Sequence, residues 1–564
     1  MNQPTPAIVT QGAVRRLPRW ALLVFCAAYV IPGFVGREPW KNVDMTTLGY
    51  IFELAKGHAS WLAPKLVGMP AEFDGLVPYW LGALGMRLGG GWLPLDFAAR
   101  IPFMLLLVLT FVATWYGVYS LARSPGAQPV PFAFGGEAQP TDYARAMADG
   151  GLLALVACLG LAQLSHETTP SLAQLAFTAL AFYGIAAIPY RRVAAGIAIA
   201  LGLAGLALSG APTLAMLYAA GGAVVTLLDP PADAEGQSHP GLWAAYILAA
   251  AAAVALAAWG LDAWRWRLEG YYGPDGWQPR AYLRLIAWFT WPAWPLALWT
   301  LWRWRQRLVS RHVALPLWFA LVSIGSALVT ATSDRSLLLG LPAMAALAAF
   351  ALPTFKRAVS SLIDWFTLLF FTGCALVIWV VWISMMTGVP PKPAANVARL
   401  APGFVPTFSL IAFVAAVLAT LAWAWLVHWR AGRHREAIWK SLVLPAGGAA
   451  LCWLLVMTLW LPALDYARSY VPVVRSVQKL VQPAGCVETF GLNRGQLAAL
   501  RYHGRMDLRP ATPQAGCPWL LASQDYQALV GLNLGADQWE ALATVRRPTD
   551  ANDNLHVFRR RGLN

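Results

Sequence analysis

Asp44 closes a stretch reading Gly36-Arg37-Glu38-Pro39-Trp40-Lys41-Asn42-Val43-Asp44, just beyond the end of an apolar block. A carboxylate in that position faces both water and lipid head groups, which suits a general base or a metal ligand, with a solvated loop acid as the alternative. A second acidic spot, His166-Glu167-Thr168-Thr169-Pro170, falls in a very short turn between two apolar blocks. Two carboxylates on separate turns can divide the work of activating an acceptor and orienting it or holding a cation. Helix capping by Thr168, Thr169 and Glu167 explains the same residues structurally. Arginines form the third group: Arg265, Arg267, Arg280 and Arg284 surround Tyr271-Tyr272-Gly273, and Arg335 follows. Their forked donors suit a phosphate or pyrophosphate, although the nearby acids Asp262, Glu269 and Asp334 offer simpler partners. A lone Asp with distant partners is a weak metal signature, so a requirement for Mg²⁺ or Mn²⁺ stays open.

The elements that must position these groups are membrane spans. Of 564 residues, 58% are hydrophobic and 12% charged, and that charged fraction is about half the roughly 25% of soluble domains. Apolar runs at 20–35, 101–121, 410–427 and 442–461 each approach the roughly 20 residues that cross a bilayer. Counting such blocks gives about thirteen spans, starting near residues 19, 100, 149, 171, 193, 212, 241, 283, 313, 336, 361, 406 and 441. The net charge of +15 is spread in short clusters between the blocks; that pattern carries topology and argues against a nucleic-acid partner. Arg15, Arg16 and Arg19 precede the first block and place the N-terminus in the cytoplasm, and alternate loops are basic as the positive-inside rule requires. One inside loop, 229–240, is acidic and weakens the count locally. The outside then receives the loop 37–97, with amphipathic surface helices, the turns at 165–170 and 333–336, the loops at 262–280 and 388–406, and the C-terminal tail. The Pro- and Gly-rich stretch 124–140 reads as a mobile cytoplasmic loop.

Two domains follow: a membrane part over 1–464 and a tail over 465–564. The tail alternates strand-like and helix-like segments, with strands at 486–490, 518–522 and 555–560, a helix at 494–503 and a second opening at 525–529, which makes a small α/β domain. Cys486 and Cys517 lie in this polar tail, where a disulfide in an oxidising compartment is expected; free thiols or a metal site are the alternatives, the latter short of nearby Cys and His partners. Cys26, Cys158, Cys374 and Cys452 fall inside apolar blocks and read as small buried residues.

Taken in order, Asp44, then Trp61 with Pro64, then Tyr79-Trp80-Leu81, then Arg100, and later Arg335 with Leu337-Leu338-Leu339 and Pro342 form a pattern that resembles the GT-C membrane glycosyltransferases. The likeness is to the protein O-mannosyltransferases and the aminoarabinose transferases that modify lipid A. It covers roughly residues 19–465 and departs where the family's Asp-Glu pair reads Asp44-Met45 and where Glu72-Phe73-Asp74-Gly75 replaces a Glu-Lys-Pro. The resemblance implies a polytopic α-helical enzyme of the bacterial inner membrane, its tail periplasmic. Such an enzyme moves a sugar from a polyprenyl-phosphate donor to a lipid, glycan or protein acceptor. Asp44 would act as the catalytic base and Arg265, Arg267, Arg284 and Arg335 would hold the donor phosphate, with His166 and Glu167 supporting the acceptor or a cation. A transporter or flippase for a lipid-linked or anionic substrate is the rival reading, and would require charged or broken helices at mid-membrane.

Overall fold

The computed structural model describes residues 5–71, 75–230, 239–263, 279–330, 333–431, 437–482, 485–512, 516–535, 538–547 and 549–561. Helices dominate because a backbone in lipid must satisfy its own polar groups. Among the described residues eight helical stretches are long and apolar enough to cross a membrane: Leu95–Ala122, Pro170–Ala187, Pro240–Gly260, Arg311–Val329, Asp334–Thr354, Arg357–Thr387, Leu410–Arg430 and Ile438–Arg468. Arg19–Val30, Arg192–Leu208 and Pro212–Leu228 are shorter apolar helices. The two remaining apolar blocks fall on Pro140–Ala157 and on a pair, Pro279–Phe289 and Ala293–Arg303, separated at Pro292, which has no N–H to continue a helix. All thirteen blocks are therefore helical, while length and composition alone support eight crossings. Several helices begin on proline (Pro140, Pro170, Pro212, Pro240), where the missing N–H costs nothing.

Asp334–Thr354 runs through the middle of the bundle and is buried throughout its apolar window, whereas Leu410–Arg430 is mostly exposed on the outside. Small residues let neighbouring backbones close up: a Cβ on Gly202 would come within 2.6 Å of the Ala181 nitrogen.

The connecting segments sort into two ends. At one end Arg16 pairs with Asp142, Trp439 donates to the Arg15 carbonyl, Arg307 donates to the Gly126 carbonyl and Arg430 pairs with Asp364. Asp229, the acid that interrupts the basic pattern, accepts from the Arg311 amide at this end. The stretch 124–140 is pinned rather than free, since Val130 N–H donates to Ala7 O and Ala138 N–H to Val9 O. At the other end lie the first loop, the turn 165–169, the start of the central helix and the C-terminal domain.

That domain is a five-stranded sheet in the order Asp507–Pro510, Cys486–Phe490, Trp519–Ser523, Asp550–Arg560, Trp539–Arg547. The first three strands are parallel and the last two antiparallel additions. The helix Arg494–Tyr502 starts on a capping box formed by Asn493 and Gln496. The disulfide links Cys486 to Cys517. The helix of the last apolar block runs past residue 464 as far as Arg468.

The loop helix Val43–Lys56 differs from the expected surface helix, because it is buried along most of its length. The tail helix Arg494–Tyr502 covers it: a Cβ on Gly49 would meet the Ala498 Cβ at 2.5 Å. Arg501 pairs with Glu53 at 2.7 Å, Phe52 meets Tyr502 edge to face, and Lys41 pairs with Asp550. The loop helix is thus a layer between bundle and domain. Glu53 on its outer face meets Arg501 of the tail, so a protein surface takes the place of the expected membrane surface.

Candidate functional site

Asp44 occupies the first turn of the loop helix, where free N–H groups favour a carboxylate. It is 2% exposed. Arg37 Nη2 donates to its Oδ2 at 2.9 Å, the Trp40 amide donates to the same oxygen at 3.1 Å, and the Thr168 amide donates to Oδ1 at 2.9 Å. A carboxylate offers about four acceptor directions, so roughly one remains for a substrate. Arg37 Nη2 also donates to the His166 carbonyl at 2.8 Å. Asp44 and Arg37 together bolt the first loop to the turn 165–169.

Glu167, on that turn, pairs with Arg335 Nη2 at 3.1 Å and accepts from Gln163 at 3.1 Å. Burial raises its carboxyl above the usual range, opposed by the Arg335 charge. Arg335 lies in the first turn of the central helix and reaches Ser171 Oγ with its other nitrogen at 3.4 Å. His166 is fully buried, its ring against Tyr29, Phe34 and Trp453. Its two ring nitrogens face the Ala162 and Tyr29 carbonyls at 2.5 and 3.0 Å. Burial lowers it to about 4, so the imidazole is neutral near neutral pH. This geometry gives His166 a packing role, with no face turned to a ligand.

The last apolar helix adds a wall. Asp465 Oδ1 accepts from the Trp40 indole at 2.7 Å, and Asp465 also receives the Glu38 amide at 3.3 Å. Arg468 places its guanidinium 5.0 Å from the Trp40 ring centre, and Arg37 stands 4.6 Å from the same ring. Arg468 lies within electrostatic reach of Glu167 and Arg37 and makes no ion pair among the described residues. Arg100 supports the loop from beneath by donating to the Arg37 carbonyl. The aromatic motif builds the loop floor: Trp80 donates to the Trp61 carbonyl at 2.7 Å, and Tyr79 packs on Tyr50.

Asp44, His166, Glu167 and Arg335 therefore converge. Arg265 and Arg267 lie outside the described residues. Arg284 is exposed on the helix Pro279–Phe289 and makes no ion pair among the described residues. Arg37, Asp465 and Arg468 join the site without having been singled out from the sequence. Arg468 was legible in principle, as a further arginine at the outer end of a span. Among the described residues no three His, Cys, Asp or Glu side chains are grouped to hold a metal ion, and Glu72 and Asp74 lie outside them.

No protein-family model matches the chain, and no curated protein sequence does. Solved structures do. The crystal structure of ArnT from Cupriavidus metallidurans bound to undecaprenyl phosphate aligns over 96% of this chain and 98% of its own, with a TM-score of 0.62 at 14% identity. The chain has the ArnT fold. The apo structure of the same protein covers the same shares at a TM-score of 0.59 and 14% identity. The ArnT fold extends over membrane part and C-terminal domain alike, which is the architecture expected from the resemblance to membrane glycosyltransferases. At this identity the likeness is one of fold. The arginine and carboxylate cluster described above is this chain's own geometry within the ArnT fold.

Proposed function

We propose that the protein transfers a sugar from a polyprenyl-phosphate donor to an acceptor hydroxyl, at the end of the bundle where the first loop meets the C-terminal domain. The observation that carries this reading is the cluster of Arg37, Arg335 and Arg468 beside two buried carboxylates, in a fold whose solved example binds undecaprenyl phosphate.

In the transfer, the acceptor oxygen attacks the anomeric carbon as the bond to the phosphate oxygen breaks. The electron pair leaves on the polyprenyl phosphate, and the acceptor proton passes to a base. Most of the catalytic effort lies in placing the two reactants and neutralising the departing phosphate. Arg468, beside Trp40, and Arg335, at the start of the central helix, are the phosphate-binding groups. Asp44 takes the acceptor proton through its remaining acceptor direction and keeps Arg37 in place. The disulfide of the tail fits an oxidising compartment, and so a periplasmic placement of this end with the N-terminus in the cytoplasm.

Asp44→Asn tests the assignment in membranes supplied with lipid-linked sugar. The amide cannot act as a base, and it places an NH₂ or a neutral oxygen against Arg37. A loss of at least about a hundredfold in transfer is expected, the scale of general-base catalysis. Full activity of this variant would remove Asp44 from the chemistry.

A further inference from the structure

A cavity of about 330 Å³ is lined by Glu38 and Pro39, the two residues that precede Trp40 in the first loop, and by residues from the C-terminal part of the chain. Its size is at the lower end of small-molecule sites, which run roughly from 300 to 1,000 Å³. Glu38 of the first loop and Asp96, which begins a membrane helix, form one side. Arg475 and Gln478 of the helix Val471–Leu480, with Tyr502 and His503 of the C-terminal domain, form the other.

Among the described residues Glu38 and Arg475 make no ion pair, and His503 Nε2 is buried without a hydrogen bond. The cavity does not favour one sign of charge. Carboxylates accept from hydroxyls, while guanidinium and amide donors answer ring and hydroxyl oxygens, with Pro39, Val471 and Val474 as an apolar patch. That combination suits a neutral, polyhydroxylated ligand better than an anion or a cation.

We propose that this cavity binds the sugar-like head group of the acceptor, so that the C-terminal domain is the acceptor-selecting half of the protein. The assignment to the acceptor rests on the transferase reading. A donor sugar would sit with its phosphate among Arg335 and Arg468, whereas neither arginine lines this cavity, which the tail residues Tyr502 and His503 share. Glu38 and Pro39 lead directly into Trp40, whose ring Arg37 and Arg468 face, so the cavity adjoins the transfer site along the chain.

The test uses the full chain in detergent with methyl hexosides as probes, read by saturation-transfer NMR, and undecaprenyl phosphate binding measured on the same preparation. Hexoside binding should be present, should persist when undecaprenyl phosphate is saturating, and should weaken about tenfold in Arg475→Ala combined with Gln478→Ala, the worth of one charge-assisted hydrogen bond. Both residues are on a helix face outside the arginine cluster, and undecaprenyl phosphate binding should not change. Absence of hexoside binding, its displacement by undecaprenyl phosphate, or equal binding by the double variant would each overturn the proposal. Hexoside binding as expected without undecaprenyl phosphate binding would instead defeat the transferase reading and leave a sugar site standing.

Discussion

Replacing Arg335 by alanine separates the two tasks that the structure gives this residue. Its guanidinium stands 3.1 Å from Glu167, with side-chain exposures of 14% and 7%. Removing one partner of a buried ion pair costs about 3 to 5 kcal/mol, because the other charge is stranded. Gln163 still donates to Glu167, and burial already favours uptake of a proton there, so a loss near the lower limit, about 3 kcal/mol, is expected. Adding Glu167→Gln removes the stranded charge and should restore most of that stability. Donor binding should behave differently. A charged hydrogen bond to phosphate contributes about 1.5 to 3 kcal/mol, so undecaprenyl phosphate affinity should fall by about tenfold to a hundredfold in both the single and the double variant. Chemical unfolding in detergent reads the first effect and direct titration with undecaprenyl phosphate reads the second. If Arg335→Ala with Glu167→Gln binds like the unaltered protein, Arg335 serves only to neutralise Glu167, and its phosphate-binding role is refuted.

Gly49→Val forces new atoms against the tail helix, since a Cβ at residue 49 would already lie only 2.5 Å from the Ala498 Cβ. Overpacking of this kind costs about 1 to 3 kcal/mol, and here it should release the C-terminal domain, seen as faster limited proteolysis between residues 469 and 485. An unchanged digestion pattern would mean that the helix contact does not hold the domain. Acid should loosen the same end of the molecule. His166 and His503 are both held neutral by burial, at about 4 against an ordinary 6.5. Between those values the unfolded chain binds protons that the folded chain refuses, so stability is lost as pH falls from about 6.5 towards 4, by up to about 1.4 kcal/mol per unit for each residue. Melting curves over this range should show a shallower fall for His503→Gln; an identical slope would show that His503 titrates freely.

The spans and the tail's main elements were legible because their signals are local. Apolar blocks end at charged loops, and the strand at Cys486–Phe490 and the helix at Arg494–Tyr502 carry their own periodicity and cap. Asp44, Glu167 and Arg335 stood out for a similar reason, as charges beside long apolar runs. Their partners are a different matter. The Thr168 amide that binds Asp44 is 124 positions away, and the Trp40 indole finds Asp465 across 425. Nothing in either neighbourhood announces such a meeting. Asp465 and Arg468 also read as the beginning of a polar tail, whereas they are the last turns of a membrane helix. The burial of the loop helix was hidden because its cover arrives from the far end of the chain, and an amphipathic pattern does not distinguish a lipid surface from a protein one.

That cover has a consequence for how the protein is made. Glu53 meets Arg501 across 448 positions, and Lys41 meets Asp550 across 509. The first loop is synthesised early, yet it is enclosed only after every membrane helix has been inserted and the sheet domain has folded and oxidised. Until then the layer that carries Asp44 lacks its outer contacts. Covering of the loop helix is therefore coupled to completion of biogenesis, and a chain stalled or cleaved before the sheet forms would be inserted in the membrane with that helix bare on its outer side.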